Sequence, residues 1–553
     1  MTRWRGNPWA ILLTLSLGFF MTLLDLTIVN IAIPGIMDGL GASLDQALWV
    51  VNAYILVLAV LLITGGRLGD LAGRRNLFIA GVALFTLASL ACGIAQDPTQ
   101  LIAARAAQGL GAALLMPQTM SIIIDTFPAE RRGAALGIWG AVAGLSTIAG
   151  PTLGGLLVTS LDWRWIFIVN LPIGVLVLVM AVAVLPAHTR TVRHRFDVTG
   201  VLLASASLFC LTFALTEGQK HDWGTGIKVL FGAAAVLLVA FLVHQRSRQS
   251  AEPLVPFALF RDRNFAILTL VGATVSIGMV GLFLPLTIYL QSVLGHSALE
   301  AGLILAPSSV VSMVLAPMAG RLSDRIGGRF ILMGGLVLFA LGMLWLALGA
   351  EVDSSWTAFM GPVVLMGVGI GGVFAPMATE AMRYVPPRLA GAASGVNNTA
   401  RQVGSVLGSA VIGAVLQNRL AVALHDEAVT RASALPPDLR AGFVDGFAGA
   451  AKGGLEVHAG QAEGRRLPPG VPADVAHRAQ ELAGQVFAHG FVDALTPTMM
   501  VPVVVILLGA AACVGVRRYR VQPSVPTDAH GGHDGDGPVK HTPVGEDDEP
   551  IRR

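Results

Sequence analysis

The feature that most restricts the fold of this chain is a succession of long apolar runs. A bilayer-spanning helix needs about 20 consecutive, mostly apolar residues, and the sequence contains fourteen runs that meet this requirement. They lie at 9–34, 46–68, 77–96, 99–123, 133–158, 165–185, 198–216, 226–244, 265–291, 299–320, 330–350, 357–382, 391–416 and 494–516. The pattern predicts an all-α membrane protein with fourteen transmembrane helices.

Charge is scarce in this chain and is placed unevenly. Charged residues make up 13% of the 553 residues, whereas soluble domains carry about a quarter. Nineteen arginines fall in the segments on one side of the predicted helices. Because basic loops face the cytoplasm, we expect a multi-pass protein of the cytoplasmic (inner) membrane with both termini inside. A net charge of +3, without a basic cluster interleaved with aromatic residues, predicts no nucleic-acid partner.

One loop motif occurs twice. The sequence G-R-L-G-D-L-A-G-R-R at 66–75 follows the second predicted helix, and G-R-L-S-D-R-I-G-G-R at 320–329 follows the tenth. Ordinary basic decoration of a loop would not repeat Gly, Asp and Arg in the same order. We therefore expect a cytoplasmic gating latch. Its residues are Gly66, Asp70, Gly73, Arg74, Gly320, Asp324 and Arg325.

The repeat also predicts how the chain is divided. Residues 1–185 form one six-helix half, and 265–516 form a second. Residues 186–264 then supply two extra central helices with their flanking cytoplasmic loops. Two similar halves around a cavity near the membrane midplane are the plan of many transporters.

Two segments are too polar to lie in lipid. A long extracytoplasmic loop is predicted at 417–490, with an amphipathic helix over 473–487 as one option. Residues 517–553 include a stretch rich in Pro, Gly, Asp and His, which is typical of a disordered tail.

Two charged residues inside predicted helices stand out. Asp25 is well within the first, and Arg105 is about a third of the way into the fourth. A charge in hydrocarbon costs several kcal/mol unless it is paired or faces water. Snorkelling to the membrane surface is the alternative for Arg105. An aspartate that alternates between a neighbouring cation and an apolar environment can load and release a proton, so Asp25 is the candidate proton carrier.

The fifth predicted helix is rich in small residues. Its notable members are Gly140, Gly144, Gly150, Pro151, Gly154 and Gly155. Glycines four residues apart let helices approach closely, and proline can bend a helix. Ordinary packing of membrane helices accounts for part of this pattern. We also expect a proton-tight seal and a flexible point at an interface between the halves.

Several other residues at depth are candidates for an apolar substrate pocket. They are Asn30, Tyr54, Gln118, Trp139, Phe283 and Tyr289. Aromatic belts at the membrane surface and hydrogen bonds between helices explain many such residues equally well. Arg401, in the thirteenth predicted helix, is expected to serve coupling or interhelical contacts, with carboxylates near the cytoplasmic end as its partners.

Enzyme motifs are missing from the sequence. It has no Walker-type G-x-x-x-x-G-K-[ST] segment and no Cys/His spacing typical of zinc. We therefore expect neither an enzyme nor a bound metal or cofactor.

Taken together, the motifs resemble the major facilitator superfamily, and within it the 14-helix drug:proton antiporter branch. The resemblance rests on 66–75, on the first-helix stretch 24–34, on 101–111 around Arg105, on the glycine-rich fifth helix and on W-R-W-I-F-I-V-N-L-P at 163–172. It implies the major facilitator fold and a role for Arg105 in controlling the protonation of Asp25.

The function implied is efflux of amphipathic small molecules, cationic or neutral, such as drugs and antibiotics. The proton gradient would drive it, in a monomer. One alternative is a proton-coupled or facilitative transporter of a metabolite or lipid. Another is a non-transporting membrane receptor or scaffold that binds its partner through the loop at 417–490.

Overall fold

In the computed structural model, helices account for almost all of the residues that the structure describes. These are 5–186, 197–218, 221, 223–249, 253–386, 389–452 and 473–517, and no β-strand occurs within them. The helices are α1 (Pro8–Leu40), α2 (Leu44–Ala72), α3 (Arg74–Gly93), α4 (Pro98–Thr126), α5 (Ala129–Ser160), α6 (Trp165–Ile168), α7 (Asn170–Val184), α8 (Val198–Glu217), α9 (Thr225–Ser247), α10 (Ala258–Arg261), α11 (Arg263–Ile288), α12 (Ala298–Ile326), α13 (Arg329–Leu348), α14 (Met360–Gly371), α15 (Phe374–Met382), α16 (Ala390–Ala432), α17 (Pro437–Lys452) and α18 (Ala473–Ala512).

Thirteen helical segments in the described ranges are long and apolar enough to cross a membrane. They coincide with thirteen of the fourteen predicted spans. The remaining predicted span, 133–158, lies in α5, a 32-residue helix that is not among the thirteen. The all-α membrane class is confirmed, and the count of fourteen stays a prediction.

Polar caps mark where several of the apolar helices begin. The side chain of Asn7 accepts a hydrogen bond at the start of α1, and that of Asp97 does so at the start of α4. Ser43 and Gln46 cap α2 reciprocally, and Ser297 caps α12 together with a glutamate. Such caps satisfy the amide donors that have no partner inside a helix.

The same packing pattern occurs twice. Helix α3 packs on α4 and α7, while α1 packs on α5; likewise α13 packs on α14 and α18, while α11 packs on α16. The largest contacts that join these sets are α5 on α12 and α2 on α16, and smaller ones are α5 on α15 and α4 on α16. This is the arrangement expected of an internal repeat. We call α1–α7 the N-half and α11–α18 the C-half.

The two extra helices, α8 and α9, pack on each other, and α8 also contacts α2 and α16. Asp197, which caps α8, holds the pair together. Its carboxylate accepts hydrogen bonds from the Gly200 backbone N–H at 2.9 Å, from the His244 ring at 2.8 Å and from the Gln245 amide at 2.7 Å. The pair therefore lies beside both halves, where α2 and α16 meet.

Where the structure describes it, the segment predicted as a long loop is largely helical. Helix α16 continues through it to Ala432, α17 follows, and α18 begins at Ala473. Leu435, Ala479 and Leu482 form a small apolar cluster there. The helix predicted as an option over 473–487 is thus present as the first part of α18. The predicted tail beyond 517 lies outside the described residues.

Candidate functional site

A buried ion pair joins α1 and α4. The Arg105 guanidinium contacts the Asp25 carboxylate through Nη1 and Oδ2, and both residues are fully buried. Arg105 Nη1 donates to Gln108 Oε1 at 2.7 Å, and Gln108 Nε2 donates to Asp25 Oδ1 at 2.9 Å. Asn170 Nδ2 adds a hydrogen bond to Asp25 Oδ1 at 3.3 Å, and Arg105 Nε donates to the Val50 carbonyl at 2.9 Å. The structure thus brings together the two charges that the sequence singled out.

Aromatic rings cover this ion pair. The Arg105 Cζ atom lies 4.4 Å from the centroid of the Tyr54 ring and 5.8 Å from that of Phe167. The Tyr54 hydroxyl donates a hydrogen bond to the Thr22 carbonyl at 3.2 Å. Tyr54 was expected to line a substrate pocket, but it is fully buried and packs on the guanidinium. Its position assigns it to the ion-pair site.

A neutral network extends from the ion pair. The amides of Gln108 and Asn170 both donate to Ser89 Oγ, at 3.2 and 3.1 Å, and Ser89 Oγ donates to the Phe167 carbonyl at 2.9 Å. Sequence reasoning did not assign Asn170 or Ser89 to this site. The available signal was weak: Asn170 is a polar residue within the motif at 163–172.

The first copy of the loop motif binds the opposite half. Asp70, near the end of α2, accepts hydrogen bonds from the backbone N–H groups of Gly391 at 3.1 Å and Ala392 at 2.9 Å, in the first turn of α16. Arg74 Nη2 donates to the same carboxylate at 2.8 Å. A Cβ atom at Gly66 would lie 2.4 Å from the Gly391 carbonyl oxygen. Close backbone approach and a carboxylate at a helix start therefore stabilise this contact.

The second copy makes the reciprocal contact. Asp324, near the end of α12, accepts hydrogen bonds from the backbone N–H groups of Gly133 at 2.9 Å and Ala134 at 3.2 Å, near the start of α5. A Cβ atom at Gly320 would lie 2.0 Å from the Gly133 carbonyl oxygen. We call these two contacts the α2–α16 latch and the α5–α12 latch. In each latch, an aspartate of one half accepts hydrogen bonds from backbone N–H groups near the start of a helix in the other half.

The charges around the two latches differ. Arg74 also pairs with Asp125 at the end of α4. In the C-half, Glu380 accepts a hydrogen bond from the Gly328 backbone N–H at 2.6 Å and pairs with Arg383 at 2.9 Å. Asp125 thus binds Arg74 of the first motif copy. Glu380 instead binds the backbone N–H of Gly328, at the equivalent position of the second copy.

Both motif copies turn sharply at a glycine. Gly73 has a φ of +94°, and Gly327, its equivalent in the second copy, has a φ of +84°. Only glycine adopts such angles without strain. Arg325, which was assigned to the latch from the sequence, is exposed on α12.

The glycines of α5 do not share one role. Gly140 faces Phe374 of the C-half, and a Cβ atom at Gly140 would lie 3.3 Å from the Phe374 Cβ atom. Gly150 and Gly154 instead face Thr27 and Ile28 of α1, within the N-half. A Cβ atom at Gly155 would meet nothing within 4 Å. The surroundings of Gly144 and Pro151 lie outside the described residues.

Two glycines that the sequence reasoning passed over carry the contact between α5 and α12. A Cβ atom at Gly133 would lie 2.3 Å from the Gly320 carbonyl oxygen, and one at Gly137 would lie 2.7 Å from the Ala316 carbonyl oxygen. The spacing of four residues between them was the available signal. The close approach between the halves therefore begins earlier in α5 than expected.

Two of the predicted pocket residues belong to other parts of the bundle. Gln118 is fully buried, and its amide donates to the Gly65 carbonyl at 2.8 Å, beside the first loop motif. The Tyr289 hydroxyl donates to the Glu351 carbonyl at 2.5 Å, in the segment that follows α13. Their hydrogen bonds support interhelical packing at these positions.

Trp139 lies on α5, the helix that packs on α12 and α15 of the C-half. Its ring stacks on Phe19 with 4.2 Å between centroids, and its buried Nε1–H has no hydrogen-bond acceptor among the described residues. Phe283 is partly buried on α11. The side chain of Asn30 lies outside the described residues.

The surroundings of Arg401 differ from those expected from the sequence. Its guanidinium Cζ lies 5.1 Å from the centroid of the Phe374 ring. Within the described ranges its buried Nε–H has no acceptor, and the side chain forms no ion pair with a carboxylate. The expected pairing with cytoplasmic carboxylates is therefore not found in the part of the chain that the structure describes.

Two similar helical halves, joined by reciprocal latches, with an acid–arginine pair buried in one of them, are the plan of a membrane transporter. The chain belongs to the Major Facilitator Superfamily, whose family model matches residues 15–409. It is therefore a multi-pass membrane protein.

Known relatives and solved structures agree with this assignment. The tetracenomycin C resistance and export protein of Streptomyces glaucescens is 37% identical over 424 residues, which are 76% of this chain and 78% of the relative. The multidrug resistance protein Stp of Mycobacterium tuberculosis is 38% identical over 417 residues, 75% of this chain and 77% of the relative. The human organic anion transporter MFSD10 superposes with a TM-score of 0.57 at 13% identity, covering 90% of this chain and 99% of that chain. This last likeness shows the fold alone.

Proposed function

We propose that the chain is a proton-driven exporter of amphipathic small molecules in the cytoplasmic membrane. It works as a monomer with both termini in the cytoplasm, so that the two latches close the cytoplasmic end. The names of the relatives, a multidrug resistance protein and an antibiotic export protein, support export. The observation that carries the proposal is the buried pair of Asp25 and Arg105.

This pair can respond to a single proton. Asp25 accepts hydrogen bonds from Arg105, Gln108 and Asn170, an arrangement that suits an ionised carboxylate. Protonation of Asp25 cancels the attraction to Arg105 and leaves a guanidinium without its counter-charge. In a low-dielectric interior this is a large change in interaction energy. Binding of one proton therefore favours a different arrangement of α1 and α4.

Helix α1 connects this event to the contact between the halves. Thr27, two residues from Asp25, donates a hydrogen bond to the Ser146 carbonyl of α5 at 3.3 Å. Gly150 of α5 approaches Thr27 so closely that a Cβ atom there would lie 2.1 Å from the hydroxyl oxygen. Helix α5 in turn packs on α12 of the C-half. A shift of α1 is thus transmitted to one of the two latches.

The proposal is tested with inside-out membrane vesicles under an imposed pH gradient. We expect Asp25→Asn to abolish gradient-driven uptake of a substrate dye. Exchange of the dye without a gradient should persist, because binding and rocking remain possible. Asp38→Asn is the matched control, since Asp38 is exposed on the same helix. Gradient-driven uptake at the wild-type rate in Asp25→Asn would remove Asp25 from the proton pathway.

The direction of the gradient separates export from import. An antiporter takes up dye into inside-out vesicles only when the lumen is acidic, whereas a proton symporter requires the opposite gradient. A receptor or scaffold gives no flux under either condition. Deletion of the segment 418–488 should leave flux largely intact in an exporter.

A further inference from the structure

Arg401 is a partly buried charge that the proposed proton pathway does not use. It lies about three turns from the start of α16, within a helix that is long and apolar enough to cross the membrane. Arginine remains protonated in proteins. A positive charge at this depth is costly unless it has a partner or faces a water-filled cavity.

We infer that Arg401 binds an anionic group of the exported molecule, such as a carboxylate or a phenolate. This inference rests on the proposed export function and names the chemical class of its substrate. A guanidinium offers several N–H donors in one plane, which suits a carboxylate in particular. The substrate would supply the negative charge that the described part of the protein does not place beside Arg401.

Glu380 and Asp25 are already engaged by other partners. Glu380, the acid of α15, is held by Arg383 and by the Gly328 backbone N–H. Asp25 is enclosed in the N-half by Arg105 and its hydrogen-bond donors. A cationic substrate near Arg401 would meet repulsion that no neighbouring carboxylate of the described ranges offsets. This changes the expected substrate class from cationic or neutral to one that carries an acidic group.

The position of Arg401 suits a ligand between the halves. The guanidinium lies over the ring of Phe374, and Phe374 in turn faces Gly140 of the N-half. The buried Nε1–H of Trp139, next to Gly140, is unpaired within the described part of the chain, as is the Nε–H of Arg401. Trp139 lies on α5 and Phe374 on α15, two helices of opposite halves that pack on each other. The Arg401 side chain is partly accessible.

A break in the helix backbone lies at the same place. Helix α14 ends at Gly371, and α15 begins at Phe374, although the sequence predicts one continuous span there. Interrupted helices commonly border the substrate site in transporters. Here Gly372 and Val373 keep helical backbone angles, and their N–H groups bond preceding carbonyls of α14. The interruption therefore marks a place for a ligand, and the guanidinium alone sets the sign of its charge.

The inference is tested by binding to the full chain in lipid nanodiscs. The probes are anthracene-2-carboxylate and anthracene-2-carboxamide, which share one fluorescent ring system and differ in charge. Fluorescence anisotropy reports the dissociation constant of each. We expect the wild type to bind the carboxylate at least about tenfold more tightly than the amide, as for a hydrogen bond to a charged group.

Substitutions then assign that preference to one residue. We expect Arg401→Gln to bind the two probes equally, and Arg401→Lys to keep part of the preference. Arg419→Gln, at an exposed position of the same helix, should behave as the wild type. Equal binding of the two probes by the wild type, including no measurable binding of either, would overturn the inference. So would a preference that survives in Arg401→Gln.

These binding measurements do not depend on the proton gradient. If Asp25→Asn retains gradient-driven flux while the carboxylate preference depends on Arg401, the proton pathway is wrong and the anion site stands. If flux is lost in Asp25→Asn and no carboxylate preference is found, the proton pathway stands and the anion site is wrong.

Discussion

The N-half and the C-half repeat one packing pattern but differ in their buried charges. In the N-half, Asp25 and Arg105 neutralise each other inside a closed hydrogen-bond network. In the C-half, Arg401 lies over an aromatic ring without a carboxylate partner among the described residues. The latches, by contrast, are built alike in both halves. Under the functions proposed above, gating belongs to both halves, whereas proton handling belongs to the N-half and ligand recognition to the C-half.

The largest expected effect concerns the two buried arginines. Arg105→Gln leaves Asp25 as an uncompensated buried charge, and we expect it to lower the free energy of unfolding by about 3–5 kcal/mol. Arg401→Gln removes a charge that has no carboxylate partner in the described ranges, so we expect unchanged or increased stability. Unfolding of the purified proteins in mixed micelles with increasing sodium dodecyl sulfate measures both.

A matched control comes from the double variant Asp25→Asn with Arg105→Gln, which leaves no unpaired charge. It should be more stable than Arg105→Gln alone. Equal destabilisation by Arg105→Gln and Arg401→Gln would show that the two halves hold their arginines in the same way, and the comparison would fail.

Substitutions in the two latches are expected to change hydrogen exchange by an intermediate amount. Asp70→Asn weakens charge-assisted hydrogen bonds to the backbone N–H groups of Gly391 and Ala392, and we expect about tenfold to hundredfold faster hydrogen exchange there. Asp324→Asn should do the same at Gly133 and Ala134. Exchange measured by mass spectrometry on peptides from both regions reports each latch separately.

Each latch variant serves as the control for the other. Exchange should rise only at the helix start that faces the substituted aspartate. A rise at both helix starts in either variant would mean that the latches open together, and that the two contacts form one cooperative element.

The smallest expected effect lies in α8 and α9, outside both halves. Burial raises the pKa of Asp197, but hydrogen bonds from His244, from the Gly200 backbone N–H and from Gln245 outweigh this and hold the pKa below its usual range. A lowered native pKa stabilises the fold above the unfolded value of about 3.9, and this contribution is lost as the pH falls through the native value.

We therefore expect Asp197→Asn to lower the melting temperature slightly at pH 6 and not at pH 2. Thermal unfolding of the detergent-solubilised protein at both pH values measures the difference. Asp38→Asn, at an exposed position, should show no such dependence. A difference of the same size at both pH values would exclude a role for the Asp197 charge.

Local patterns in the sequence predicted most of the helices. Apolar runs of sufficient length mark membrane helices wherever they occur, and thirteen predicted spans coincide with helices of the structure. The region after 416 was predicted less well. Its helices are amphipathic and continue from membrane spans, so a rule based on apolar length ends them too early. The interruption after Gly371 was missed because the run stays apolar across it.

The candidate site was only partly predictable. Asp25, Arg105 and Asp70 stood out because a charge in an apolar run, or a repeated motif, is visible in one dimension. The partners of Asp70 were not visible, because they are backbone N–H groups more than 300 residues away along the chain. Tyr54 and Gln118 were assigned to a pocket, since their polarity was known but the direction in which they face was not.

The sequence by itself determined that the chain is a membrane protein of two repeated helical halves, with two charged residues inside apolar runs and a repeated loop motif. These properties follow from the composition and from the order of residues along the chain, so they can be recognised without knowing how the helices pack. Only the tertiary structure decided which helix faces meet. It enclosed Asp25 with Arg105, set Asp70 and Asp324 on opposite helix starts, and gave Arg401 an aromatic ring rather than a carboxylate among the described residues. The physical reason is that the cost of a buried charge depends on its neighbours in space, and helix rotation and packing select those neighbours.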